Sequence, residues 1–220
     1  MPGRLIVLEG VDGSGKATQA KLLYEALRRG GTQAMKITFP HYESNSSALI
    51  KMYLHGAFGQ NVNDVNAYAA SAFYTVDRYA SYRTDWGSFY SKGGTIVADR
   101  YTTSNAVHQC AKLPRAEWDA YLNWLFDFEY QKIAIPKPDL VIYLDVAPEV
   151  SEHLMERRYR GDESKRDLHE KDRDYLRRSW EAGQYCIRKF GWRCISCTQN
   201  GEMRPPEEIH ENILSLIAER

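Results

Sequence analysis

The sequence predicts an α/β protein built on a five-stranded parallel sheet with helices on both faces. Three observations carry this. Short runs of Ile, Val and Leu recur along the chain, amphipathic helical stretches separate them, and the runs lack the polar alternation of a half-exposed sheet. The expected strands are RLIVLE (4–9), QAMKITF (33–39), TIVAD (95–99), DLVIYLDV (139–146) and WRCIS (192–196).

The elements between them follow in order. A helix over about 16–29 carries Ala20, Leu23 and Leu27 on one stripe, and Gly30-Gly31 ends it. Pro40 closes the second strand, and 46–54 reads as a short helix. A long helix is expected over about 64–92, capped by Asp64 and stopped by Gly93-Gly94, with a core stripe of Val65, Ala69, Ala72 and Val76. Two helices follow, about 102–111 and 115–133, before Pro136 and Pro138 break the chain. Pro148 opens the next helix as its first residue, with Glu149 in the first turn. The charged run RRYRGDESKRD (157–167) precedes a helix of about 169–189. A last helix, 206–219, begins at Pro205-Pro206.

With 220 residues, 43% of them hydrophobic, the chain can bury one core, and a single domain over 1–220 is expected. Lys+Arg and Asp+Glu both total 29, so neither nucleic acid nor an anionic membrane is expected as a partner. The N-terminal apolar run is too short for a signal peptide, and no stretch approaches the ~20 apolar residues of a membrane span. Cys194 and Cys197 form a lone CxxC with no second pair to complete a zinc set, and their spacing in a strand points them to opposite faces. Reduced cysteines in a cytoplasmic protein are the expectation.

Chemistry enters at VLEGVDGSGKATQA (7–20). Gly10, Gly15 and Lys16 have the G-x-x-x-x-G-K spacing between a strand and a helix, the context in which backbone amides turn inward around phosphate oxygens and the lysine reaches the β and γ oxygens. The ATP-binding set is therefore Gly10, Val11, Asp12, Gly13, Ser14, Gly15, Lys16, Ala17 and Thr18. A carboxylate inside such a loop repels phosphate, so Asp12 reads either as a turn residue or as an acceptor for a sugar hydroxyl of a second substrate. The loop lacks the hydroxyl that usually follows the lysine, because Ala17 stands there.

Two further patterns follow strands. Asp99 ends TIVAD where P-loop enzymes keep an acid that holds Mg²⁺ through water, and Arg100 beside it offers a fork of donors to phosphate. Tyr74 and Arg78, four residues apart on the long helix, share a face that could stack on and hydrogen-bond a base. The arginine-rich run 157–167 fits a flap that brings Arg158, Arg160 and Arg166 over the transferring phosphate.

Taken together, EGVDGSGK, FP at 39–40, the Asp77-Arg78 pair, DRYTTSNAVHQ, PKPDLVIYLDV and the arginine-rich flap resemble the thymidylate kinase family of P-loop nucleoside monophosphate kinases, with a small lid at about 157–168. The resemblance implies ATP-dependent phosphorylation of dTMP to dTDP, with Mg²⁺ as cofactor, ATP and dTMP as ligands and a homodimer as the assembly. It implies Asp12 on the sugar 3′-hydroxyl, Tyr74 stacked on the base, Arg78 on the base edge and Arg100 on the acceptor phosphate. It places Asn105 and Gln109 in the base pocket and His108 against C2′ of the sugar. Lys16, Arg100, Arg158, Arg160 and Arg166 are the expected catalytic set, with Asp99 holding metal through water.

The chain departs from the family pattern at Ala17 and at Tyr42, where FP-x-R would supply an arginine. A deoxynucleoside kinase using Glu9 as base, and a non-catalytic relic of a kinase, are the rival readings. A GTPase is disfavoured because Pro136-Lys137-Pro138-Asp139, the nearest match to a guanine motif, precedes a strand rather than following one.

Overall fold

The computed structural model describes residues 2–159 and 168–218, the side chains of 157–159 excepted. Strand and helix alternate through β1 (Arg4–Glu9), α1 (Lys16–Arg29), β2 (Ala34–Thr38), α2 (Ala48–Leu54), α3 (Ala67–Ser81), α4 (Gly87–Ser91) and β3 (Thr95–Asp99). They continue through α5 (Thr102–Cys110), α6 (Trp118–Phe126), β4 (Leu140–Asp145), α7 (Pro148–Tyr159), α8 (Arg173–Phe190) and β5 (Arg193–Ser196). A small hairpin, β6 (Thr198–Gln199) and β7 (Glu202–Met203), precedes α9 (Pro206–Ala218). Asn200 and Gly201, both at positive φ, make its turn.

The five long strands form one parallel sheet in the order β2-β3-β1-β4-β5. Because successive side chains of a strand point to opposite faces, each strand feeds two cores. Leu5, Val7, Ile96, Ala98 and Tyr143 pack under α5, α6 and α8, whereas Ile6, Leu8, Val97, Ile142 and Leu144 pack under α1 and α9. Each buried Leu, Ile or Val among them contributes roughly 1.5–3 kcal/mol. The register sets Leu8 opposite Asp99 and Thr38 opposite Asp99. The chain therefore leaves β1, β2 and β3 at one level, and the residues that follow them meet at one edge.

Three expectations are corrected. The helical stretch from Ala67 to Ser91 runs through a π-turn at Tyr82–Trp86, and its cap is Asn66, whose Oδ1 accepts the Ala69 N–H at 2.9 Å. Asp64 instead closes a turn on the Asn61 N–H at 2.9 Å, a local bond that competes with capping. The expected core stripe is also turned: Val76 is 54% exposed, and the buried face is Ala67, Ala70, Ser71, Thr75 and Arg78. Apolar periodicity missed this because the polar members of that face find partners inside the protein. Lastly, α8 starts at Arg173, capped by Asp172 on the Tyr175 N–H, so His169 and Glu170 lie in the turn before it and not in its first turn.

Candidate active site

The glycine loop leaves β1 where a side chain cannot follow. Gly10 has φ 152°, and a Cβ there would sit 2.7 Å from the Leu144 carbonyl oxygen. Gly13, at φ 79°, lies beneath α7, where the Ser151 hydroxyl also donates to the Asp12 carbonyl. The loop ends on the N-terminus of α1. Lys16 Nζ donates to the Val11 carbonyl at 2.7 Å and to Ser14 Oγ at 3.4 Å. Burial, and then the Arg100 charge, push the Lys16 amine down to about 8, while Asp12, Glu9 and Asp99 pull it back. A buried ammonium and a helix N-terminus together make an anion site.

Arg100 sits opposite, just past β3, with φ 68°, a left-handed conformation that costs about 1–3 kcal/mol in a non-glycine residue. Its guanidinium donates to the Asp12 carboxylate, to Ser104 Oγ at 3.4 Å and to His108 Nε2 at 3.2 Å, and it lies 3.7 Å from Glu9. Burial opposes both charges of the Asp12–Arg100 pair, and their mutual attraction outweighs it. Asp12 is held well below the usual carboxylate range and Arg100 above its usual value. Glu9 is fully buried and accepts from the Gly10 N–H at 2.9 Å, Thr103 Oγ1 at 2.7 Å and Ser104 Oγ at 2.8 Å. Those bonds fix the first turn of α5 against the end of β1.

Deeper in the cleft lies a second ion pair. Arg78 donates from Nε to Glu129 at 2.8 Å and from Nη2 to the same carboxylate, and both residues are at most 1% exposed. Thr75, Thr102 and Asn105 add donors at 2.9, 2.6 and 3.4 Å, so five donors converge on Glu129. A buried carboxylate so fully hydrogen-bonded is held rigidly. Burial works against the Arg78 charge, but Glu129 outweighs it and raises the pKa.

One cavity of about 670 Å³ joins the two ends. Asp12, Gly13, Gly15, Lys16, Ala17, Thr18, Asp99 and Arg100 line its phosphate end; Tyr74, Arg78, Asn105, His108 and Gln109 line the other. Gly10, Val11 and Ser14 shape the loop without reaching the cavity wall. Ala17 and Thr18 are both exposed. Arg160 and Arg166 lie outside the described residues, as does the Arg158 side chain.

Glu129 and His169 are among the wall and support residues that were missed. Glu129 was legible in principle: Trp118, Tyr121, Leu122 and Leu125 form a helical apolar stripe, and Glu129 falls four residues further along it. A π-turn at Asp127–Lys132 then seats it inside. His169 lines the cavity beside His108, and only the fold reveals that proximity. Tyr42, where the family pattern has arginine, is 48% exposed and also lines the cavity.

Comparison with known proteins identifies the family. A family profile described as thymidylate kinase matches residues 8–211. A thymidylate kinase of Mycobacterium tuberculosis is 30% identical over 178 residues, 80% of this chain and 81% of that one. A human thymidylate kinase is 33% identical over 144 residues, 66% of this chain and 61% of its own. The solved thymidylate kinase of Candida albicans superposes with a TM-score of 0.71 at 20% identity, over 99% of this chain and 92% of that one, and thus shares the fold. The chain belongs to the thymidylate kinase family.

Proposed function

We propose that this chain passes the γ-phosphoryl group of ATP to dTMP, giving ADP and dTDP. The observation that carries the reading is one cavity with the glycine loop and Arg100 at one end and Tyr74, Arg78 and the α5 side chains at the other. ATP phosphates lie along the loop, bound by its amides and by Lys16. At the far end Tyr74 stacks on the base, while Arg78, Asn105 and Gln109 orient its edge. The Gln109 Oε1 and His108 Nδ1 atoms are buried without a hydrogen-bond partner among the described residues, which suits a polar ligand.

Arg100 takes the acceptor phosphate, loosening its pairing with Asp12, whose carboxylate then accepts a sugar hydroxyl. The acceptor phosphate is itself the nucleophile and needs no strong base, so positioning and charge neutralisation carry the rate. Lys16 and Arg100 supply that neutralisation, with Arg158, Arg160 and Arg166 as the expected contributors from the flap. Glu9 is unsuited to act as the base of a deoxynucleoside kinase, because its carboxylate is already committed to three donors.

Magnesium fits the donor set as an ion held mainly by ATP oxygens and water. Asp99 offers one carboxylate at the phosphate end, and Ala17 offers no oxygen where the family pattern has one. When bound, the ion would neutralise phosphate charge. A homodimer of one-domain chains in the cytoplasm completes the proposal.

Coupled measurement of ADP release tests it, with dTMP, thymidine or no acceptor. Release with dTMP alone supports the reading. Release with thymidine selects the nucleoside kinase, and none with any acceptor selects the relic.

A further inference from the structure

Asp77 directly precedes the cavity arginine on α3, and it is 1% exposed. One residue along a helix turns a side chain by about 100°, so Asp77 leaves the face that Tyr74 and Arg78 share. It meets the segment after β2 instead. Its Oδ2 accepts the His41 N–H at 2.8 Å, and its Oδ1 accepts the Ser46 hydroxyl at 2.6 Å. Both carboxylate oxygens thus hold donors from one loop.

That loop is cavity wall. Pro40 and Tyr42 both line the cavity, so Asp77 grips the residue between two wall residues. The loop starts beside Arg100: Thr38 pairs with Asp99 in the sheet, and the Phe39 N–H donates to the Asp99 carbonyl at 3.0 Å. Past that bond the β2–β3 ladder ends, and side chains must hold the wall. Lys51 of α2 donates to the Tyr42 carbonyl at 3.0 Å, but at an exposed position. The His41 ring lies 3.6 Å from Asp85, with both side chains exposed, a contact of little strength. Asp77 is the buried anchor among these. Arg78, one residue on, is fixed from its other side by Glu129.

We infer that Asp77 is a positioning residue for acceptor binding. It ties the Pro40–Tyr42 wall beside Arg100 to the same helical turn that carries Arg78. The base and the phosphate of one acceptor molecule then meet their partners together. This rests on the acceptor placement proposed above.

Asp77→Ala removes both acceptors. Calorimetric titration should read dTMP affinity about tenfold weaker, two hydrogen bonds at about threefold each, with ATP affinity within twofold. Asp77→Asn is the conservative variant. Its Oδ1 still accepts the His41 N–H, and its amide donates to Ser46 Oγ, since a hydroxyl also accepts. Its dTMP affinity should stay within twofold of wild type. Ser46→Ala alters a partly exposed side chain, so it reports even where Asp77→Ala does not fold; dTMP affinity should fall about threefold. Amide exchange should show the His41 N–H protected in wild type and Asp77→Asn, and open in Asp77→Ala.

A purely structural role would lower the melting temperature without separating dTMP from ATP. Ser46→Ala binding dTMP as wild type does, or either disruptive variant losing both nucleotides alike, overturns the inference. Asp77→Asn as weak as Asp77→Ala overturns it too, because the effect would then belong to the charge. A wild type that binds dTMP without phosphorylating it sinks the catalytic reading only, and the affinities still decide this one. A wild type that binds no dTMP sinks both.

Discussion

At the donor end of the cleft, the site is one contiguous stretch, residues 10–18, in which glycines free the backbone and one lysine supplies the charge. At the acceptor end, Arg78 comes from α3, Asn105 and His108 from α5, Glu129 from the π-turn after α6, and His169 from the turn before α8. The Arg78–Glu129 pair joins residues 51 apart in sequence. The first end is built from backbone geometry and tolerates exposed side chains at Ala17 and Thr18. The second is built from buried charges, and the hydrogen bonds that converge on Glu129 hold it. An anion site at a helix N-terminus is a local property, whereas a pocket for an orienting guanidinium is a property of the whole packed core.

That contrast can be broken at either end. The largest effect is expected at the acceptor end: Glu129→Ala leaves Arg78 as an uncompensated buried charge and should cost about 3–5 kcal/mol of stability in urea unfolding. The double variant Arg78→Met, Glu129→Leu should recover most of that loss while dTMP affinity stays low; an unrecovered double variant argues against the ion pair as the cause. At the donor end, Lys16→Ala should lower turnover about 10²–10³-fold with the fold intact, read from steady-state rates and circular dichroism.

Next in size is a pH effect confined to the acceptor end. Histidines held neutral by burial in the fold but free to charge in the unfolded chain bind fewer protons when native. The contribution of these histidines to stability is therefore full above pH 6.5 and is lost as the pH drops toward about 3. Urea midpoints should show a loss on the order of 2 kcal/mol between pH 6.5 and 5, and His108→Phe with His169→Phe should flatten it. An equal slope in the double variant would assign the effect elsewhere.

The smallest effect sharpens the donor end. Ala17→Ser restores a hydroxyl after the lysine and should lower the magnesium concentration for half-maximal rate about tenfold. Thr18→Ala should change it far less. If the two variants exchange behaviour, Thr18 is the residue that serves the metal.

How far the molecule was legible follows the same division. Strand runs such as TIVAD and DLVIYLDV are buried on both faces and read directly as a parallel sheet. The glycine loop between β1 and α1 read just as directly, since its backbone needs only glycines at a strand–helix junction. Tyr74 and Arg78 share a cavity as their spacing implied. What failed was the assumption that a buried helix face is an apolar one. On α3 the inward face holds Ser71, Thr75 and Arg78 because Tyr121 and Glu129 meet them there. Partners fifty residues away leave no mark on local periodicity. His169 and Tyr53 were illegible for the same reason: their 2.7 Å bond spans 116 residues.

The claim that donor and acceptor ends are separate assemblies within one cavity is tested most directly by calorimetric titration of dTMP into Lys16→Ala. In that variant dTMP affinity should stay within about twofold of wild type while turnover is lost, as expected if Lys16 serves only the donor phosphates. A tenfold or greater loss of dTMP affinity in that variant would contradict it.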